Sequence, residues 1–241
     1  MDIPVNFIAG NRVDGWWQRL QRCVLPERCL VCAEPGGAGL DLCPACRDAL
    51  PWNGSACQAC ALPLPALDAA QLCGACQRKP PPLALVASAC VYAAPVDALL
   101  RRFKFHQDLA AGRLLAALLQ ARCAGLPRPQ ALLPVPLHRA RLRQRGYDQA
   151  LELARPLARA LGLPLCDGLQ RVRATSPQSE LDARARRRNL RHAFAVRAPL
   201  PPHVALVDDV MTTGATLHAA ARALRRAGVA RVDAWVVARV P

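Results

Sequence analysis

The sequence predicts an α/β protein built on a largely parallel sheet and preceded by a small cysteine-rich module. Three observations carry that expectation. Eight of the twelve cysteines fall into four C-x-x-C pairs early in the chain. Beyond them, strand-like and helix-like segments alternate, the pattern of a parallel sheet. Near the C-terminal end, VALVDDVMTTGATL (residues 204 to 217) sets two carboxylates, three threonines and a glycine between an aliphatic run and an alanine-rich segment.

Residues 1–28 form an N-terminal segment of their own. MDIPVNFIAGNRVDGWW lacks a basic n-region followed by an apolar core, so no secretory signal is expected. Trp16 and Trp17 suit a short amphipathic helix. The pairs Cys29/Cys32, Cys43/Cys46, Cys57/Cys60 and Cys73/Cys76 follow, within a module spanning 29–79. Two residues between thiolates let a tight turn aim both sulfurs at one ion, and two such knuckles complete a tetrahedral site. Four pairs make two closed four-cysteine sites with no open position, so structural zinc is expected. Sequential pairing of the knuckles needs the shortest loops and is preferred. A cross-braced arrangement fits the spacing almost as well, and disulfides or redox dithiols are the competing chemistries. Cys23, Cys90, Cys123 and Cys166 belong to no pair and read as small buried apolar residues.

Composition narrows the setting. The 241 residues allow one large domain or two modest ones, and 53% hydrophobic residues exclude long-range disorder. The formal charge of +15 favours polyanionic partners: nucleic acid, phosphorylated metabolites or an acidic membrane surface. Eight thiolates around two divalent ions would lower it by only four. No apolar stretch is long enough to span a bilayer, so membrane insertion is not expected. A cytoplasmic protein is the expectation.

At KPPPLALV (residues 79 to 86) the proline-rich character gives way to a second domain, 80–241. LALVASACVY reads as a strand, DLAAGRLLAALLQARC as a helix, ALLPVPL as a strand running into a turn, and YDQALELARPLARALG as a helix. After an arginine-rich stretch come FAV and VALV as strands. LHAAARALRRAG is a helix closed by Gly228, and VDAWVVARV is the last strand. Asp208 to Thr213 would then form a strand-to-helix turn, where backbone N–H groups and a helix dipole suit a phosphate. The two carboxylates stand just upstream, placed to grip hydroxyls or a divalent cation.

VALVDDVMTTGAT closely resembles the phosphoribosyl-pyrophosphate (PRPP) loop of type I phosphoribosyltransferases. Together with PVPLHRARLRQRGYDQALELA, TSPQSELDARARRRNLRHAF and the upstream cysteine pairs, it resembles the ComF family of competence-associated proteins, over nearly the whole chain from Cys29 onward. The resemblance implies a type I phosphoribosyltransferase-like sheet with helices on both faces, behind a double zinc ribbon. It also implies two partners, PRPP with magnesium and single-stranded DNA, the latter alongside proteins of the competence machinery.

Carried over residue by residue, the resemblance gives Asp208 and Asp209 the ribose hydroxyls, directly or through magnesium-bound water. Thr212, Thr213, Gly214, Ala215 and Thr216 would wrap the 5′-phosphate. Val135 and Pro136, with Leu137, occupy the place of the pyrophosphate loop. Behind them stand His138, Arg139, Arg141, Arg143 and Arg145, of which Arg145 is the preferred catalytic cation beside Asp208 and Asp209. Tyr147-Asp148 stands where the family usually reads Phe-Asn, and it adds a negative charge near the presumed anion site. Residues Arg171 to Arg191 correspond to the loop that closes over PRPP, with Thr175, Gln178, Arg184 and Asn189 matching and Gln178 assigned to PRPP. Thr212 stands where purine-salvage relatives carry an Asp base, which disfavours a 6-oxopurine acceptor. A hood for the acceptor would lie in residues 80 to 128 or in the zinc module. Two classes of function follow: a phosphoribosyltransferase with an unidentified acceptor, or a non-catalytic PRPP-binding protein that handles single-stranded DNA.

Overall fold

Val204, Ala205, Leu206 and Val207 are each 0% exposed, which is why a run of aliphatics without alternation makes a central strand. The computed structural model describes residues 27–37, 39–65, 71–172 and 193–241. Trp16, Trp17 and Cys23, together with Thr175, Gln178, Arg184 and Asn189, lie outside the described residues. The chain divides into two compact units, Met1–Leu50 and Pro51–Pro241.

In the first unit, single bridges join Arg28 to Pro35 and Gly37 to Leu40. A five-residue helix follows, α1 (Pro44–Asp48), whose N-cap is Cys43.

The second unit opens with a similar knuckle and helix, α2 (Gly74–Arg78), and continues into the α/β fold. The order is β1 (Leu85–Val91), α3 (Val96–Phe105), α4 (Leu109–Cys123), β2 (Ala131–Pro134), α5 (Arg139–Arg145), α6 (Gln149–Leu161), β3 (Leu169–Arg171), β4 (Phe194–Val196), β5 (His203–Met211), α7 (Ala215–Arg226) and β6 (Arg231–Arg239). Four strands form one sheet in the order β1-β6-β5-β2, every pairing parallel. Helices α4 and α6 pack on it, α3 packs against α4, and α7 packs against β5, β6 and β4. The small antiparallel pair β3-β4 brackets residues 173–192.

Two elements depart from the sequence expectation. The sequence pattern assigns no element between LALVASACVY and DLAAGRLLAALLQARC, yet α3 forms there, because Val96, Leu99, Leu100 and Phe103 recur at helical spacing and are 2% exposed or less. β5 runs on through the two carboxylates, because Asp208, Val210 and Met211 keep their parallel register with Val236, Ala238 and Arg239. Asp208 and Asp209 are therefore strand residues, and the turn proper begins at Thr212.

The second cysteine module is fastened to this sheet. The Val86 N–H donates to the Gln58 carbonyl at 2.7 Å, Trp52 bridges Cys90, and the Asn53 N–H donates to the Ala89 carbonyl at 3.0 Å. Ala61 belongs to the main core cluster, with Cys60 packed against it.

Candidate functional site

The sulfurs gather in two groups, Cys29, Cys32, Cys43 and Cys46 in the first unit and Cys57, Cys60, Cys73 and Cys76 in the second. Within each group all ligand atoms lie within 4.8 Å of one another. Consecutive pairs thus share a site. A zinc tetrahedron with bonds of about 2.3 Å has S···S edges of about 3.8 Å. The observed Cys32–Cys43 and Cys60–Cys73 separations are 3.6 and 3.7 Å, so both donor sets fit the ion.

The electrostatics agree. Burial raises the Cys29 thiol, but N–H groups of Cys43, Cys32 and Val31 outweigh it and hold the group at about 6. Cys73 is likewise pulled to about 7 against burial, by hydrogen bonds from Cys76, Cys60 and Cys57. Their neighbours Cys46 and Cys76 are pushed up, Cys46 mainly by its hydrogen bond with Cys32 and Cys76 mainly by burial. A cluster without a cation resists becoming a full set of thiolates; a dication removes that obstacle. Of the unpaired cysteines, Cys90 and Cys123 are buried, burial pushing the Cys90 thiol to about 12, whereas Cys166 is partly exposed.

The second feature lies where β5 ends. Asp209 is 8% exposed, its N–H donates to Asp208 Oδ1 at 2.9 Å, and its own Oδ2 pairs with Lys104 Nζ at 2.9 Å. Burial and the Asp209 charge push the Asp208 carboxyl up to about 8, against the Asp209 N–H and the Lys104 ammonium. Immediately beyond, Asp208 and residues 210–217 line a hollow of about 60 Å³. Thr212 and Thr213 are exposed at its rim, and Thr213 Oγ1 accepts from the Ala215 N–H at 3.4 Å. Gly214 (φ +72°) precedes the first turn of α7, whose N–H groups have no helical carbonyl to bond. The structure thus brings Asp208, Asp209, Thr212, Thr213, Gly214, Ala215 and Thr216 together.

What stands behind the loop was not legible in advance. His218 is packed against Gly214, and burial with the charges of Arg222 and Arg239 lowers its imidazole to about 4, so it is neutral at physiological pH. Arg239 donates to the Cys60 carbonyl at 2.9 Å and to the Met211 carbonyl at 3.3 Å. One guanidinium thus joins the second cysteine knuckle to the foot of the phosphate-type loop.

The turn after β2 is engaged differently. The Val135 N–H donates to the Val207 carbonyl at 2.9 Å, so the end of β5 anchors the first residue after β2, and Pro136 has no N–H to give. Asp148 caps α6, accepting from the Leu151 N–H at 3.2 Å and from the Leu137 N–H at 3.1 Å. Its carboxylate is therefore a brace between the turn and the helix. Arg145 lies with its guanidinium 5.7 Å over the Phe105 ring. With Lys104, Phe105, Gln107 and Arg141 it lines a cleft of about 360 Å³. Arg171 stacks on Phe194 at 5.6 Å and feels the charges of Arg141 and Asp208, so the end of β3 faces the same region.

A parallel sheet ending in adjacent carboxylates and a phosphate-type loop, behind paired four-cysteine clusters, defines a phosphoribosyltransferase-type domain preceded by zinc ribbons. Comparison with known families agrees: residues 20–83 match the double zinc ribbon domain and residues 148–241 the phosphoribosyl transferase domain. The chain is 37% identical over 226 residues to DNA utilization protein YhgH of Salmonella typhi, covering 89% of this chain and 98% of that one. It is 34% identical over 224 residues to the protein of the same name from Escherichia coli strain K12, with the same coverage. It is 39% identical over 181 residues to Competence protein F of Haemophilus influenzae, covering 70% of this chain and 79% of that one. The chain belongs to the ComF family. Among the described residues no helix is long and apolar enough to cross a membrane.

Proposed function

We propose that this protein binds PRPP with magnesium at residues 208–216 and serves a ComF-like role in DNA uptake. The observation that carries the reading is the adjacency of Asp208 and Asp209 to the hollow at the N-terminus of α7. A 5′-phosphate in that hollow would meet the helix N-terminus and the Thr212, Thr213 and Thr216 hydroxyls. The ribose hydroxyls would reach the carboxylate pair. Asp208, reluctant to ionise beside Asp209, fits a site completed by a divalent cation. Magnesium, when bound with PRPP, would offset the charge of the pyrophosphate. Lys104 and Arg145 supply further positive charge on the same side.

Transfer of the phosphoribosyl group would need an acceptor in the cleft next to Lys104. One observation favours the alternative, a PRPP-binding protein that does not turn over and handles single-stranded DNA. Among the described residues the cleft lining holds three cations, an amide and a phenyl ring, and the Asp209 carboxylate beside it is already paired with Lys104 rather than free to take a proton from an acceptor.

Thermal unfolding with and without PRPP and magnesium tests the binding. Ligand at 100 times its Kd adds about 2.7 kcal/mol, a rise of roughly 5–11 °C for a domain of this size. No rise at millimolar PRPP with magnesium would refute the reading. Pyrophosphate release in the presence of candidate acceptors separates the enzyme from the non-catalytic alternative.

A further inference from the structure

Phe105 is 66% exposed, the barest large apolar side chain among the described residues. It ends α3 but falls off the buried stripe of Val96, Leu99, Leu100 and Phe103, so the core gives no reason for an aromatic there. Its surroundings are cationic. Arg145 lies over the ring, and Lys104, Arg141 and the Gln107 amide complete the lining of the 360 Å³ cleft. Gln107 itself holds a φ of +53°, a left-handed backbone uncommon for a side chain of its kind. Lys104 also bonds Asp209, so the cleft opens beside the carboxylate pair.

We infer that this cleft binds one nucleotide of a single-stranded DNA, with the base stacked on Phe105 and the adjoining phosphate held by Arg141 and Arg145. A phenyl face accepts any base, because every base has a π-face, and flanking cations follow the backbone. The Gln107 amide offers a donor and an acceptor to the base edge. An apolar peptide would strip water from the Arg141 and Arg145 guanidiniums and bring them no countercharge, and an inorganic anion would leave the phenyl unused. The choice of DNA follows the proposed role. The cleft rests on the PRPP reading only for its position at the mouth of that site.

The experiment uses the full, zinc-loaded chain and a fluorescein-labelled twelve-residue oligothymidylate, read by anisotropy at fixed low salt. Phe105→Ala should weaken binding about 5- to 100-fold. Phe105→Trp should keep the affinity and add an emission that the oligonucleotide quenches. Wild-type affinity in Phe105→Ala overturns the cleft. So does thymidine monophosphate competing as well as the strand, or an oligouridylate bound more tightly than the DNA. PRPP titrated into the wild type in parallel reads the neighbouring site. If PRPP fails to bind while Phe105→Ala still loses DNA, the cleft stands and the PRPP reading falls.

Discussion

Gly214 is the residue through which the loop can be tested without touching a charged group. Its φ of +72° is left-handed, and a Cβ there would lie 2.4 Å from Met211 Cε and 3.1 Å from His218 Nε2. Left-handed backbone costs an alanine about 1–2 kcal/mol. The clash adds about 1 kcal/mol, because the Met211 tip can swing but is only 1% exposed and has close-packed neighbours. Gly228 supplies the control, since its φ is +93° and nothing lies within 4 Å of its Cβ position. Gly214→Ala should therefore be about 1 kcal/mol less stable than Gly228→Ala, a gap of 2–4 °C in thermal unfolding. It should also lose PRPP binding in calorimetry, because the N-terminus of α7 shifts, while Gly228→Ala keeps it. Equal melting temperatures for the two variants would refute the packing argument. PRPP binding retained in Gly214→Ala would refute the tie between that geometry and the ligand.

Asp208→Asn should stabilise the protein while abolishing PRPP binding. The native carboxyl titrates near 8 against an unfolded value near 3.8, so the wild type holds its proton-linked stability below pH 4 and loses it as pH rises towards 8. The variant's advantage in urea unfolding should grow from nothing at pH 4 to on the order of 5 kcal/mol at pH 8. An advantage that does not change with pH would contradict the assignment. Cys57→Ser should reduce the metal content from two zinc ions to one and lower the melting of the unit Pro51–Pro241, because Cys60 and Ala61 pack with its core. Retention of two zinc ions per chain would contradict the cluster assignment.

Much of this architecture was legible in the sequence where a single physical constraint acts. The C-x-x-C spacing gave the clusters, and the fully buried Val204–Val207 run gave the central strand. The helix Leu109–Cys123 announced itself by length, and Asp108 caps it as an acidic N-cap should. What escaped needed the third dimension. The stripe at 96, 99, 100 and 103 was present, but RRFKF masked it with charge, and the helix it builds carries Lys104 and Phe105 into the cleft. Asp148, a foreign charge on paper, is a cap whose two oxygens serve Leu137 and Leu151. Arg239 lies 179 residues from Cys60, and no local pattern joins them.

The most direct test of the account is calorimetric titration of PRPP into the zinc-loaded protein, with and without magnesium, beside Asp209→Asn. Saturable, magnesium-dependent binding to the wild type is expected, lost in the variant, whose neutral amide also forfeits the Lys104 pair. Binding that ignores magnesium and survives the substitution would contradict it, as would the absence of any binding by the folded wild-type protein.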